Sequence, residues 1–236
     1  MQADALVDLA PTAARRHIMP DLTRHMWHDR AFPLLVRWAG HGLGDSGYNC
    51  LVASVPTLVV VSGPIGAGKT TLAHQLARAV GCPAICRDEI KEGMAYSSPG
   101  FVPAPADELT MRTLPVFFGV LELLLRAGVT TVAEAAFQDH VWRPYLEPLH
   151  GLAHLRIVHC VVTHDVAFRR VLQRGQDNPV RRAHADPRPD HDVADFARHR
   201  SAFDRVSVEA PWIEVDTTDG YKPGLDEIVR FVNGLA

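Results

Sequence analysis

Lysine is nearly missing from this chain. Of its 24 basic residues in 236, only those at 69, 91 and 222 are lysines, and the rest are arginines. A net charge of −3 supplies no global basic field that would recruit a polyanion. Aromatic residues make up only 7% of the chain and are not interleaved with Arg or Lys, as a stacking groove for single-stranded nucleic acid requires. Composition therefore argues against nucleic acid as a partner. Four cysteines (Cys50, Cys82, Cys86, Cys160) form no disulfide ladder and no paired CxxC knuckles. Cys82 and Cys86 are spaced loosely enough for a metal pair, but no second Cys/His pair lies near them in sequence, so reduced thiols are expected. The 13 histidines sit mostly singly, with no HExxH run. No apolar run approaches the roughly 20 residues of a membrane-spanning helix. The first 30 residues also lack the continuous apolar core of a secretory signal. A cytoplasmic protein is the expectation.

What is present is an ordinary globular composition, 47% hydrophobic and 22% charged, long enough for one sizeable domain with an appendage. The chain divides near residue 55. Residues 1–55 carry scattered apolar positions compatible with short helices, then a glycine-rich stretch, Gly40 to Gly47, that reads as a linker. Residues 56–236 alternate strand and helix patterns. Strands are expected at 57–62, 83–86, 129–133, 155–162 and 212–215. Helices are expected at 69–80, 88–94, 107–126, 140–149, 165–174, 192–208 and 225–235, with Pro115 kinking the third. This alternation predicts an α/β fold, a five-stranded parallel sheet wrapped on both faces in a three-layer α/β/α sandwich.

One segment carries explicit chemistry. Gly63-Pro64-Ile65-Gly66-Ala67-Gly68-Lys69-Thr70 matches GxxxxGK[ST] at every fixed position. A β-branched run precedes it and an amphipathic pattern closed by Gly81 follows, which is the context the motif requires. The glycines let the loop curl so that backbone N–H groups point at phosphate oxygens. The helix N-terminus adds its partial positive charge. Lys69 is positioned for the β and γ oxygens, Thr70 for Mg²⁺, and Thr71 for the α-phosphate. A nucleoside triphosphate, ATP with Mg²⁺, is the expected ligand.

Three further elements bear on the fate of the γ-phosphate. Asp88, in Arg87-Asp88-Glu89 just after the second strand, is placed to orient or deprotonate an acceptor hydroxyl, or simply to cap a helix. Arg87 is a candidate substrate contact. Glu134, after the third strand, is a candidate for positioning Mg²⁺ or touching substrate, or an ordinary strand-end acid. The run from Arg169 through Arg174 to Arg181 and Arg182 is either an arginine-bearing lid, with Gly175 and Pro179 letting it bend, or a solvated charge run. Arg174 is the favoured contact.

Residues 56–236 resemble the small P-loop kinases related to chloramphenicol phosphotransferase, zeta toxins and polynucleotide 5′-kinases. The resemblance rests on Gly63–Thr71, Arg87-Asp88-Glu89, Glu134 and the arginine segment. It implies that Asp88 is the general base, that Arg174 approaches the phosphates, and that Asp216, Thr217 and Thr218 border the nucleotide base. Relatives often carry Asp or a polar residue where this chain has Glu134-Ala135-Ala136. The expected function is an ATP-dependent kinase acting on a hydroxyl of a small molecule: an antibiotic, nucleoside, sugar or nucleotide-sugar. Alternatives are a polynucleotide 5′-hydroxyl kinase and a nucleotide-binding switch with little turnover.

Overall fold

A computed structural model of the chain describes residues 55–177, 179–184 and 193–235. The N-terminal extension expected over 1–55 lies outside the described residues apart from Val55, as does part of the lid, 178 and 185–192.

The described residues contain five strands, β1 (Thr57–Ser62), β2 (Ala84–Cys86), β3 (Thr131–Glu134), β4 (His154–Val161) and β5 (Trp212–Asp216). They pair only in parallel, in the order β2-β3-β1-β4-β5. Seven helices accompany them: α1 (Lys69–Val80), α2 (Arg87–Tyr96), α3 (Glu108–Arg126), α4 (Asp139–Leu146), α5 (His164–Asp177), α6 (Val193–Ser201) and α7 (Leu225–Val232). Single turns of 3₁₀ helix follow α4 and α5, at Glu147–Gly151 and Pro179–Ala183.

Side-chain alternation along β1 divides the core. Leu58 and Val60 point to the face covered by α3 and α4, packing with Phe117, Leu121 and Trp142. Val59 and Val61 point to the opposite face, against Leu72 and Leu76 of α1 and Ile228 of α7. A strand buried on both sides must be apolar at every position, which is why this run reads as continuous Leu and Val. The three-layer expectation holds.

The departures have local causes. Helix α3 runs through Pro115 without ending. The backbone acceptor that Pro115 deprives of a donor is that of Met111, and both residues face solvent, so water can serve the carbonyl. The helix expected at 192–208 stops at Ser201 instead. Residues 202–209 follow an irregular path held to the start of α4: Asp139 N–H donates to the Asp204 carbonyl at 3.2 Å, and Asp139 Oδ1 accepts from the Ser207 amide and hydroxyl at 2.6 and 2.8 Å. That path drops Val206 and Val208 into the core beside α3, burial that a continued helix would forfeit. Gly175, expected to bend the lid, lies inside α5, which continues to Asp177. Among the described residues, no helix is long and apolar enough to cross a membrane.

Candidate active site

The loop between β1 and α1 is shaped by steric exclusion. Gly63 and Gly66 adopt φ of 151° and 77°. A Cβ at either would stand 2.5 Å from the Cys160 carbonyl oxygen or 2.8 Å from that of Ala167. No side chain fits at these approaches, so the loop can lie against β4 and α5 only with glycine there. Gly68 caps α1 in the left-handed conformation, with no side-chain cap and no acidic residue in the first turn. The leading N–H groups of α1 therefore meet no side-chain acceptor from the cap, and they carry the positive end of a 12-residue helix. Lys69 curls over the loop and its Nζ donates to the Pro64 carbonyl at 3.1 Å. This arrangement fits a polyphosphate: helix-terminal donors with no side-chain cap, a dipole and one lysine at the loop.

Residues remote in sequence brace the loop. The buried Thr217 hydroxyl donates to the Ala67 carbonyl at 3.0 Å. Arg170 of α5 donates to the Thr217 hydroxyl at 3.1 Å and to its carbonyl at 2.6 Å. Arg200 of α6 donates to the Ile65 carbonyl at 2.6 Å and to Val162 at 3.0 Å. The loop backbone is thus satisfied by side chains on its outer side, leaving its inner face for a ligand.

Below the loop, the Thr70 hydroxyl donates to Glu134 Oε2 at 3.1 Å. Glu134 is buried at the end of β3. Burial pushes its carboxyl pKa up; the Lys69 ammonium and the Thr70 hydroxyl oppose that rise, while the negative Asp88 and Glu89 add to it. Two oxygen donors with an unfavourable negative surplus suit a hard dication, and Thr70 and Glu134 fit Mg²⁺ on these grounds.

Opposite the loop stands the first turn of α2. Asp88 accepts from Arg87 at 3.1 Å and from Arg181 at 3.0 Å. Arg181 also reaches Glu92 at 3.5 Å, and His184 lies 3.0 Å from the same carboxylate oxygen. Burial would raise the Asp88 pKa, but His184, Arg181 and Arg87 together outweigh it and hold the group well below the usual carboxylate range. These neighbours favour the ionised form of Asp88. A cleft of about 610 Å³ separates the two walls, lined by Lys69, Thr70 and Thr71 on one side and by Asp88, Glu89 and Glu92 on the other. Arg170, Arg174 and Arg181 border it.

The family model described as AAA domain matches residues 58–203, more than half of the chain. The chain belongs to that family. Among curated proteins, none matches the sequence. Solved structures share the fold of this AAA domain. A candidate kinase from Chloroflexus aurantiacus j-10-fl superposes with a TM-score of 0.68 at 24% identity, covering 77% of this chain and 99% of its own. A sugar kinase from Janibacter sp. HTCC2649 gives 0.53 at 19% identity, covering 76% and 95%. At these identities the likeness establishes a P-loop kinase fold and nothing finer.

The expected site residues distribute unevenly in the AAA domain. Gly63, Pro64, Ile65 and Ala67 form the loop around the cleft-lining Gly66 and Gly68, and Thr217 and Arg174 also face the cleft. Arg87 instead turns toward α3, donating to the Thr110 carbonyl at 3.3 Å, and steadies Asp88 from the side. The Asp216 carboxylate accepts from the Thr218 amide at 2.8 Å within its own turn. The arginine run in the sequence contains Arg170, but its bracing role, that of Thr217, and Arg200 altogether are not legible there. Arg170 had a signal, standing four residues before Arg174 on the same helical face. Arg200 had none, because its partners are backbone carbonyls 38 and 135 residues away.

Proposed function

We propose that the chain is a cytoplasmic kinase, with residues 56–236 as its catalytic domain, that moves the γ-phosphoryl group of ATP to a hydroxyl of a small molecule. The observation that carries this reading is one cleft with the Lys69–Thr70 phosphate cradle on one wall and an ionised Asp88 on the other. A binding switch needs the first wall alone. Thr70 and Glu134 would hold Mg²⁺, which would neutralise phosphate charge, and ATP would supply the phosphoryl group.

The chain's own residues do the remaining work. The P-loop amides and Lys69 fix the phosphates. Asp88 accepts a hydrogen bond from the acceptor hydroxyl, aims its oxygen at phosphorus and receives its proton. A carboxylate held this far below its ordinary pKa is a weak base, which suits a loose transition state in which the proton leaves late and aim matters more than basicity. Arg170, Arg174 and Arg181 supply positive charge around the cleft where negative charge spreads over the equatorial oxygens.

The test is transfer of label from [γ-³²P]ATP with Mg²⁺ to pools of sugars, nucleosides, aminoglycosides and oligonucleotides, using wild type and Asp88→Asn. Transfer to a small hydroxyl compound, lost in the variant, supports the proposal. Transfer to oligonucleotide ends replaces it with a polynucleotide kinase. Nucleotide binding without transfer to any pool leaves a switch.

A further inference from the structure

At the edge of the cleft, sharing Glu89 with the acidic wall, three donor atoms of different chemistry meet. His74 projects from α1, Cys86 ends β2, and Glu89 sits in the first turn of α2. Their ligand atoms all lie within 4.8 Å of one another. His74 Nε2 is 2.7 Å from Glu89 Oε1 and 3.7 Å from Cys86 Sγ. We propose that these three residues bind one thiophilic divalent cation of the Zn²⁺ type.

The spacing supports a tetrahedral ion. With Zn–S near 2.3 Å and Zn–N near 2.0–2.1 Å, tetrahedral ligands stand about 3.6 Å apart, close to the sulfur–nitrogen distance found here. The His74–Glu89 contact must open by about 0.7 Å on the same geometry. Glu89 can supply this, because its side chain is long and 46% exposed. The donor set of one sulfur, one nitrogen and one carboxylate oxygen selects Zn²⁺ or Co²⁺ over Mg²⁺. Charge balance also favours it: a dication with a Cys86 thiolate and the Glu89 carboxylate is neutral, and the thiol proton leaves to solvent. Cys86 is buried, while His74 and Glu89 face solvent, so the ion enters from outside and keeps a fourth position for water. Cys86 pairs in register with Glu134. In-register partners on parallel strands project from the same face of the sheet, so a cation bound here stands beside the Thr70–Glu134 pair. The competing explanation is a plain His74–Glu89 ion pair with a buried thiol alongside.

Cobalt distinguishes the two without using ATP, so the result is independent of the kinase reading. Co²⁺ is titrated into the full-length protein, following the thiolate-to-cobalt charge-transfer band in the near ultraviolet. The expected result is a band saturating at one equivalent and bleached by Zn²⁺. It should be lost in Cys86→Ser, kept in Cys82→Ser, and formed at least about tenfold more weakly in His74→Ala, since even outer partners of metal ligands cost that much. The absence of a thiolate band overturns the proposal, and so does a band that survives Cys86→Ser. His74→Ala changes a half-exposed helix position and keeps the test decisive if Cys86→Ser fails to fold: an unaltered band at unaltered affinity then means that cobalt sits elsewhere and overturns the proposal.

Discussion

The P-loop wall and the α2 wall face each other across one cleft, and their polar groups are satisfied by different means. On the P-loop wall, glycine conformations and helix position set the shape, Lys69 rests on a carbonyl, and Thr217, Arg170 and Arg200 brace the outer side. On the α2 wall, Asp88 and Glu92 are cross-tied to Arg181 and His184, about 90 residues away in the chain. The first wall takes its shape from backbone conformation, braced from outside, and stands ready for phosphate. The second is completed by the turn after α5, whose Arg181 and His184 tie to Asp88 and Glu92.

That contrast breaks most decisively under two substitutions. Lys69→Ala removes a cation aimed at the phosphates, and a loss of about 10³ in kcat/KM is expected with nucleotide affinity falling too. Asp88→Asn keeps shape and removes the proton acceptor, so kcat should fall by about 10²–10⁴ while fluorescent-nucleotide binding stays near wild type. If Asp88→Asn weakens nucleotide binding as much as Lys69→Ala does, the walls are not separable.

The α2 wall also depends on a support beneath it. Lys91 of α2, 3% exposed, donates to Asp107 at 2.8 Å, and Asp107 caps α3 through the Thr110 amide at 2.7 Å. Asp107→Ala strands a buried ammonium and should destabilise the fold by about 3–5 kcal/mol in urea unfolding. Burial pushes Asp107 up, yet Lys91 and the backbone amides hold it down at about 2. A group depressed in the folded state binds its proton more tightly when unfolded. Its contribution is therefore present above about pH 4 and drains away as pH falls toward 2. Wild type should lose stability over that window, and Asp107→Ala should lose less there.

How much of each wall could be read from sequence follows the same division. Gly63–Thr70 and the strand–helix alternation declare themselves because the constraint is backbone geometry or burial repeated at fixed spacing. The α2 wall shows Asp88 but not its partners, since ion pairs such as Arg181–Asp88 obey no spacing rule. Phe137, three residues beyond Glu134, is wholly buried against Phe117 and Trp142. Its residue type reports apolar surface, not which side of the sheet receives it. The end of α6 at Ser201 was unreadable for a related reason: the helix yields to burial of Val206 and Val208, and that gain exists only once α3 is in place.

A smaller effect sharpens the description of the P-loop wall. Thr217→Val keeps the shape but removes the hydroxyl that donates to Ala67 and accepts from Arg170. Leaving a buried carbonyl short of a donor should cost about 1–3 kcal/mol in stability. Nucleotide affinity should fall severalfold as the loop loosens, with the KM for the acceptor unchanged. A change in acceptor KM would mean that the bracing extends across the cleft.

The mildest test addresses the cross-tie itself. Arg181→Gln retains a hydrogen-bond donor near Asp88 Oδ2 but deletes the charge, leaving His184 and Arg87 in place. An opposite charge in direct contact lowers a carboxyl pKa by roughly one to three units. The Asp88 pKa should therefore rise by about one unit when its side-chain carboxyl is titrated by ¹³C NMR. The direction follows from what the charge stabilises: Arg181 favours the ionised form, so its loss lets the folded protein take up a proton at higher pH. Near neutrality Asp88 stays ionised in both proteins, so any change in rate there reports Arg181 acting on phosphate rather than on Asp88. An unmoved Asp88 titration would mean that His184 and Arg87 suffice, and that docking of the turn after α5 does not govern the acceptor wall.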